Sequence, residues 1–176
     1  MRPSEPVPVK LFCGVLYSDE FLLKKSRLSS IEKYGEIDYQ SDPFTFEISE
    51  YYRPEMSWPI YRLFWSFERL INPNEIARIK IECNQIEDQL AVDGNRKVNL
   101  DPGYMDYDKI VLASAKYNGQ KIYLNFGIYA DLTLHYEKGN YYPYPWSFPD
   151  FKNGGYNQIF LRIREIYKLQ LKKSEH

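Results

Sequence analysis

The sequence predicts an α+β fold in which a ferredoxin-like βαββαβ order is extended by a C-terminal β-hairpin region and a terminal amphipathic helix. Three observations carry this. Two strand-helix-strand units follow one another, Val7 to Ile48 and Ile60 to Leu100, and their first strands open alike, with Lys10-Leu11-Phe12 against Arg62-Leu63-Phe64. Beyond residue 120 the apolar period shortens to two, as strands require. After residue 155 it returns to the helical period, with Tyr156, Ile159, Phe160, Ile163, Ile166, Tyr167 and Leu171 on one face.

Taken in order, Val7 to Tyr17 is apolar on both faces, the pattern of a central strand covered on both sides. Ser18-Asp19-Glu20 supplies an N-cap and first-turn acids for a helix with Phe21, Leu28 and Ile31 on one face, closed by Gly35. Phe44 to Ile48 alternates as a half-buried strand, and two prolines mark Tyr51 to Pro59 as a loop. Ile60 to Glu68 is the next strand. Asn72-Pro73-Asn74-Glu75 announces the second helix with an N-cap, a first-turn proline and a capping-box acid, and its stripe is Ile76, Ile79, Cys83, Ile86 and Leu90. Arg96 to Leu100 then reads as a short strand.

Next comes Asn99-Leu100-Asp101-Pro102-Gly103-Tyr104, whose Pro-Gly pair suits a type II turn, and Asp106 sits as an N-cap ahead of Lys109 to Ala115, read as a short helix. Lys121 to Phe126 and Ile128 to Glu137 read as strands. In the second, Ile128, Ala130, Leu132, Leu134 and Tyr136 share one face, opposite Tyr129, Asp131, Thr133 and His135. Glu137-Lys138-Gly139-Asn140 is a hairpin signal, and the proline-rich run Tyr141 to Phe151 is an extended loop that either covers a sheet edge or walls a ligand site. Residues 172–176 should fray.

The 176 residues suffice for one well-buried core, so a single domain, 1–176, is expected. Basic and acidic residues nearly cancel, at 23 against 24, which gives no strong nucleic-acid signal and no pull toward an anionic membrane. No apolar run approaches the roughly 20 residues of a membrane helix, and residues 1–8 lack the core of a signal peptide. Cys13 and Cys83 both fall in apolar patterns, as buried thiols of a reducing compartment would. A soluble, cytoplasmic protein is therefore expected. The 17 tyrosines suit either a core edge or a recognition surface.

Familiar catalytic and phosphate-binding devices are missing: there is no Gly-x-Ser-x-Gly elbow, no Gly-x-x-x-x-Gly-Lys-Ser/Thr loop and no Gly-x-Gly-x-x-Gly turn. With His135 beside only the terminal His176, a multi-histidine zinc site is out of reach. The strongest candidate is the acidic group Asp101, Asp106 and Asp108, with Asn99 beside it and Asp131 on a later strand. Such oxygen ligands can hold Mg²⁺ or another hard cation, with Asp101 and Asp131 as the expected metal ligands, or supply a general acid or base. Turn, cap and helix-dipole roles account for Asp101, Asp106 and Asp108 without any function. A phosphate here would need a metal or Lys97, Lys109 and Lys121 close by. Lys10 and Arg62 hold equivalent places in the two units and would suit a carboxylate or phosphate, unless they pair with Glu47 or Glu68.

The central run Asn99 to Tyr104, with Lys109 to Ala113, Ile122-Tyr123-Leu124 and Gly127 to Ala130, resembles the bacterial domain of unknown function 4416 family. Pro8 to Phe12, Leu16 to Glu20, Pro145-Trp146 and Pro149-Asp150 resemble its ends. The resemblance implies no established activity. A nucleotide-binding label attached to the family implies a phosphate loop that this chain lacks. Gly119-Gln120 stands where the family pattern has Ser-His, and Asp131 where it has Glu.

Two functions of different class follow. One is a soluble small-ligand site, with a metal-assisted enzyme acting on a phosphate- or carboxylate-bearing ligand among its versions, formed by Lys10, Arg62, Asn99, Asp101, Tyr104, Tyr129 and Asp131. The other is a non-catalytic binding or scaffolding protein that meets protein or RNA through a Tyr-rich surface. The sequence leaves open which, and whether any reaction is catalysed.

Overall fold

The computed structural model describes residues 2–47 and 54–174. Among them, nine strands form one antiparallel sheet, accompanied by four helices. In chain order the elements are β1 (Val9–Tyr17), α1 (Glu20–Tyr34), β2 (Ile37–Gln40), β3 (Phe44–Thr45), β4 (Tyr61–Ile71), α2 (Ile76–Gln89), β5 (Val98–Met105), β6 (Lys109–Ser114), β7 (Ile122–Asn125), β8 (Ile128–Glu137), β9 (Asn140–Pro143), α3 (Pro149–Lys152) and α4 (Asn157–Ser174). The sheet runs β2-β4-β1-β5-β6-β8-β7, with β3 on β4 and β9 on β8.

Every residue of β1 is buried, because the sheet is covered on both faces. Val9, Leu11, Cys13, Val15 and Tyr17 pack in one cluster with Leu23 and Tyr34 of α1 and Ile76, Ile79, Cys83 and Ile86 of α2. Phe12 and Phe64 face the other way, into a cluster with Phe151 of α3, Tyr156, and Phe160 and Ile163 of α4. No helix of the described residues is long and apolar enough to cross a membrane.

Elements with strong local signals form where the pattern places them. Asn72 and Glu75 make the capping box of a 3-10 turn, Pro73–Glu75, that leads into α2. Asp19 caps α1 by accepting from Leu22 N at 2.8 Å, and Gly35, at φ 93°, ends it. The predicted face of α1 is wrong, however. Phe21 and Leu28 are exposed, and Leu23, Ser26, Ser30 and Tyr34 are the buried stripe. Small serines let the helix approach the sheet, with the Ser26 hydroxyl satisfied by Leu23 O.

The central stretch departs most. Pro102-Gly103 makes no turn: both lie inside β5, opposite Cys13 and Phe12. Pro102 is tolerated because pairing with β6 begins only at Gly103, where the ladder has an edge. Gly103 is needed for contact, since a Cβ there would lie 2.6 Å from both Phe12 Cζ and Val111 O. The expected helix at Lys109 to Ala115 is strand β6. Asp106 caps a hairpin turn instead of a helix, its carboxylate accepting from Asp108 N at 2.9 Å and Lys109 N at 2.8 Å. In β8 a register shift opposite Ile110 and Val111 breaks the expected alternation, so Asp131 pairs with Leu112 while Leu134 pairs with Ile110. The expected strand Phe44 to Ile48 is reduced to β3, with β2 formed before it. Ile48, residues 51–53 of the expected loop and the terminal 175–176 lie outside the described residues.

Candidate functional site

Strands β5 and β6 pair only from Gly103 to Met105 and from Ile110 to Leu112. Beyond that they diverge, and the gap opens into a cleft of about 810 Å³. The edge of β5 left bare is closed by helix α2. Glu87 Oε1 accepts from Leu100 N at 2.6 Å, and Lys80 Nζ donates to Leu100 O at 2.8 Å. Two side chains seven residues apart, two helical turns, thus take the place of a neighbouring strand.

The floor follows from the register. Leu16 of β1 lies between Asn99 and Arg62, and Gly14 lies between Asp101 and Phe64, so these six residues form two rows on one face. Gly14 has a contact role here. A Cβ at this position would sit 2.7 Å from Arg62 Nη1 and 3.1 Å from Phe64 Cε1, so the bare glycine is what lets the guanidinium lie across β1 toward Asp101. Phe148 to Phe151, from the proline-rich loop and α3, form the opposite wall.

Through this cleft runs a chain of alternating charge. Arg62 stands 3.4 Å from Asp150 and 3.8 Å from Asp101; Asp101 is 3.7 Å from Lys80; Lys80 is 4.0 Å from Glu87. From there the contacts tighten, to 3.1 Å for Glu87 with Arg96 and to 2.6 and 2.8 Å for the two-pronged grip of Arg96 on Glu55. The tight end has the geometry of a structural clamp. The loose end does not, and its cation, Arg62, is only 5% exposed.

The electrostatics agree. Hydrogen bonds from Arg96 hold the Glu55 carboxyl below its usual range. Burial raises the Glu87 carboxyl despite Lys80, the Leu100 amide and Arg96. Burial alone would pull Lys80 down, but Asp101 and Glu87 outweigh it and the ammonium is held above its ordinary value. A second, separate pair lies across the cleft: Lys121 Nζ is 3.2 Å from Asp131 and 2.8 Å from Ser114 Oγ, with the Phe148 ring 5.7 Å away.

Of the residues singled out in the sequence, Arg62, Asn99, Asp101 and Asp131 line this one cleft. Lys10 does not. β1 and β4 are neighbours but antiparallel, so Lys10 pairs with Leu70 and Arg62 with Leu16, at opposite ends of the strands. Fully buried, Lys10 bonds Asp38, Phe67 O and Gln170, which engages all three of its donors. Tyr104 packs against the core on the α1 and α2 side, and Tyr129 packs edge-on to Tyr117 and Tyr123. Lys97 goes to Ser57 and Lys109 to Asp106. Asp101 and Asp131 each face cations of the chain, and the described residues hold no group of three His, Cys, Asp or Glu disposed to bind a metal. Sequence reasoning missed Lys80, Glu87 and Arg96. A signal existed for the first two: Lys80 and Glu87 sit within the apolar stripe of α2, four residues after Ile76 and Cys83, where charges need partners.

Residues 7–167 match a family model described as Domain of unknown function (DUF4416). The chain belongs to this family. The DUF4416 span takes in the whole charged chain from Glu55 to Asp150, together with Gly14 and the Lys121–Asp131 pair. No curated protein and no solved structure gave a match.

Proposed function

We propose that this DUF4416 protein binds a small molecule carrying a carboxylate or phosphate group, seated by Arg62 and Asn99 in the cleft between β5 and β6. One observation carries the reading. Arg62 and Asn99, 5% and 3% exposed, line the same cleft, and the buried Arg62 Nε and Asn99 Nδ2 have no hydrogen-bond partner among the described residues. Buried donors without acceptors are costly, by about 1–3 kcal/mol each, and an acceptor group on a ligand would satisfy both. The size of the cleft, and the aromatic residues Phe46, Phe64, Phe148 and Phe151 among its charged lining, suit such an occupant.

The donor set favours an anionic head over a metal. A cation placed at Asp101 would lie against Arg62 and Lys80, so the reading does without Mg²⁺. The antiparallel order β2-β4-β1-β5, with α1 and α2 packed on one face, supports a ferredoxin-like unit at the heart of the sheet. Two free, buried thiols support a cytoplasmic setting. The experiment is calorimetric titration with small carboxylates and phosphates. Binding by the wild type and its loss in Arg62→Met and Asn99→Leu, both still folded by circular dichroism, is expected; no binding of any member refutes the reading.

A second reading, contact with a partner macromolecule through the Tyr-rich surface, is favoured by the β7 hairpin, where Tyr117, Ile122, Tyr123 and Phe126 are all more than half exposed.

A further inference from the structure

From the balance of charge and of free hydrogen-bonding groups in the cleft, we infer that its occupant is a zwitterion, a free amino acid with an apolar side chain. This rests on the reading above and narrows it. Basic and acidic side chains line the cleft in equal number, so its walls offer no net attraction to a polyanion or to a polycation. A phosphate dianion at Arg62 would also meet Asp101 and Asp150, which lie within 3.8 Å of the guanidinium on two sides. A molecule that brings one charge of each sign has a partner for both.

Free capacity of each kind stands side by side. The unpartnered donors are Arg62 Nε and Asn99 Nδ2. A free acceptor beside them is Asp101, which accepts no hydrogen bond from any described residue, touches its two cations only at 3.7 and 3.8 Å, and keeps 29% of its side chain open. Asn99 and Asp101 are two apart on β5 and so share a face, and the Arg62 guanidinium crosses over Gly14 to stand beside them. A carboxylate received by Arg62 and Asn99 therefore leaves an α-ammonium next to Asp101. The rest of the molecule can lie against Phe46, Phe64, Phe148 and Phe151 of the lining, which suits an aliphatic or aromatic side chain. The Lys121–Asp131 pair, closed on itself at 3.2 Å, takes no part in the head-group contacts.

The test is a calorimetric panel on the wild-type protein: L-leucine and L-phenylalanine, 4-methylpentanoate and 3-phenylpropanoate as their deaminated counterparts, phenethylamine as a decarboxylated one, and inorganic phosphate. The zwitterions should bind about tenfold or more tighter than the compound lacking either charge, the ratio that one well-placed charged hydrogen bond supports. Asp101→Asn should remove the preference for phenylalanine over 3-phenylpropanoate while leaving the latter bound. If the deaminated acids or phosphate bind as tightly as the amino acids, the zwitterion inference falls and the anion reading survives. If no carboxylate or phosphate binds at all, both fall.

Discussion

Lys80→Met tests whether helix α2 stands in for a strand at the bare edge of β5. The substitution removes the hydrogen bond to Leu100 O at 2.8 Å and the only ammonium among the described residues that stands beside both Asp101 and Glu87. Losing a charged partner from a buried backbone carbonyl costs about 1–3 kcal/mol. Breaking a buried ion pair from one side costs about 3–5 kcal/mol when nothing else compensates. Here Glu87 keeps Arg96 at 3.1 Å and Asp101 keeps Arg62, and the desolvation of the ammonium itself is relieved, so the net loss should fall near the lower figure, about 2–3 kcal/mol. For a chain of 176 residues, at about 2–4 °C per kcal/mol, that lowers Tm by about 4–12 °C. Glu87→Gln still presents an oxygen to Leu100 N but leaves Lys80 in excess, so it should also destabilise. The double variant restores the charge balance and should lose less than the sum of the two by about 1 kcal/mol or more. Urea denaturation of the four proteins measures this. A Tm for Lys80→Met within 2 °C or so of wild type, or strict additivity in the double variant, would refute the strand-substitute argument.

Two further outcomes follow from the charges and thiols. Because Arg96 holds the Glu55 carboxyl below its ordinary 4.5, the stability from that contact is complete above pH 4.5 and is lost as pH falls through the lower folded value. The Tm advantage of wild type over Glu55→Gln should therefore shrink below pH 4.5, and an advantage unchanged down to pH 3 would contradict it. Cys13 and Cys83 are both free and buried, and burial pushes the Cys13 thiol well above its usual value, so the native protein should resist a chromogenic disulfide reagent that reacts with both thiols in denaturant; stoichiometric reaction of the native form would overturn that placement.

The parts of the fold legible in the sequence are those specified within a few residues. The apolar run of β1, the Asn72 to Glu75 capping box, the Gly35 stop and the final amphipathic helix each contain their own cause. Lys109 to Ala115 was ambiguous by nature, since a short apolar run fits a helix or a strand until its neighbours are known, and pairing with β5 and β8 decides it. Pro102-Gly103 has a good local reading as a turn that loses to two distant contacts, Phe12 and Val111, against which only glycine fits.

The candidate site divides in the same way. Asn99, Asp101, Arg62 and Asp131 stand out as polar residues set within apolar patterns, and four side chains from three separate stretches do meet in one cleft. The likeness of Lys10 to Arg62 was misleading, because equivalent positions in tandem units come together only if the strands run parallel, and β1 and β4 do not. By itself the sequence determined the element types with strong local signals, the family and the kinds of polar group available. Only the tertiary structure decided where β5 and β6 part, and hence which charges are engaged and which donors are left bare, because pairing energies depend on distances between residues far apart in the chain.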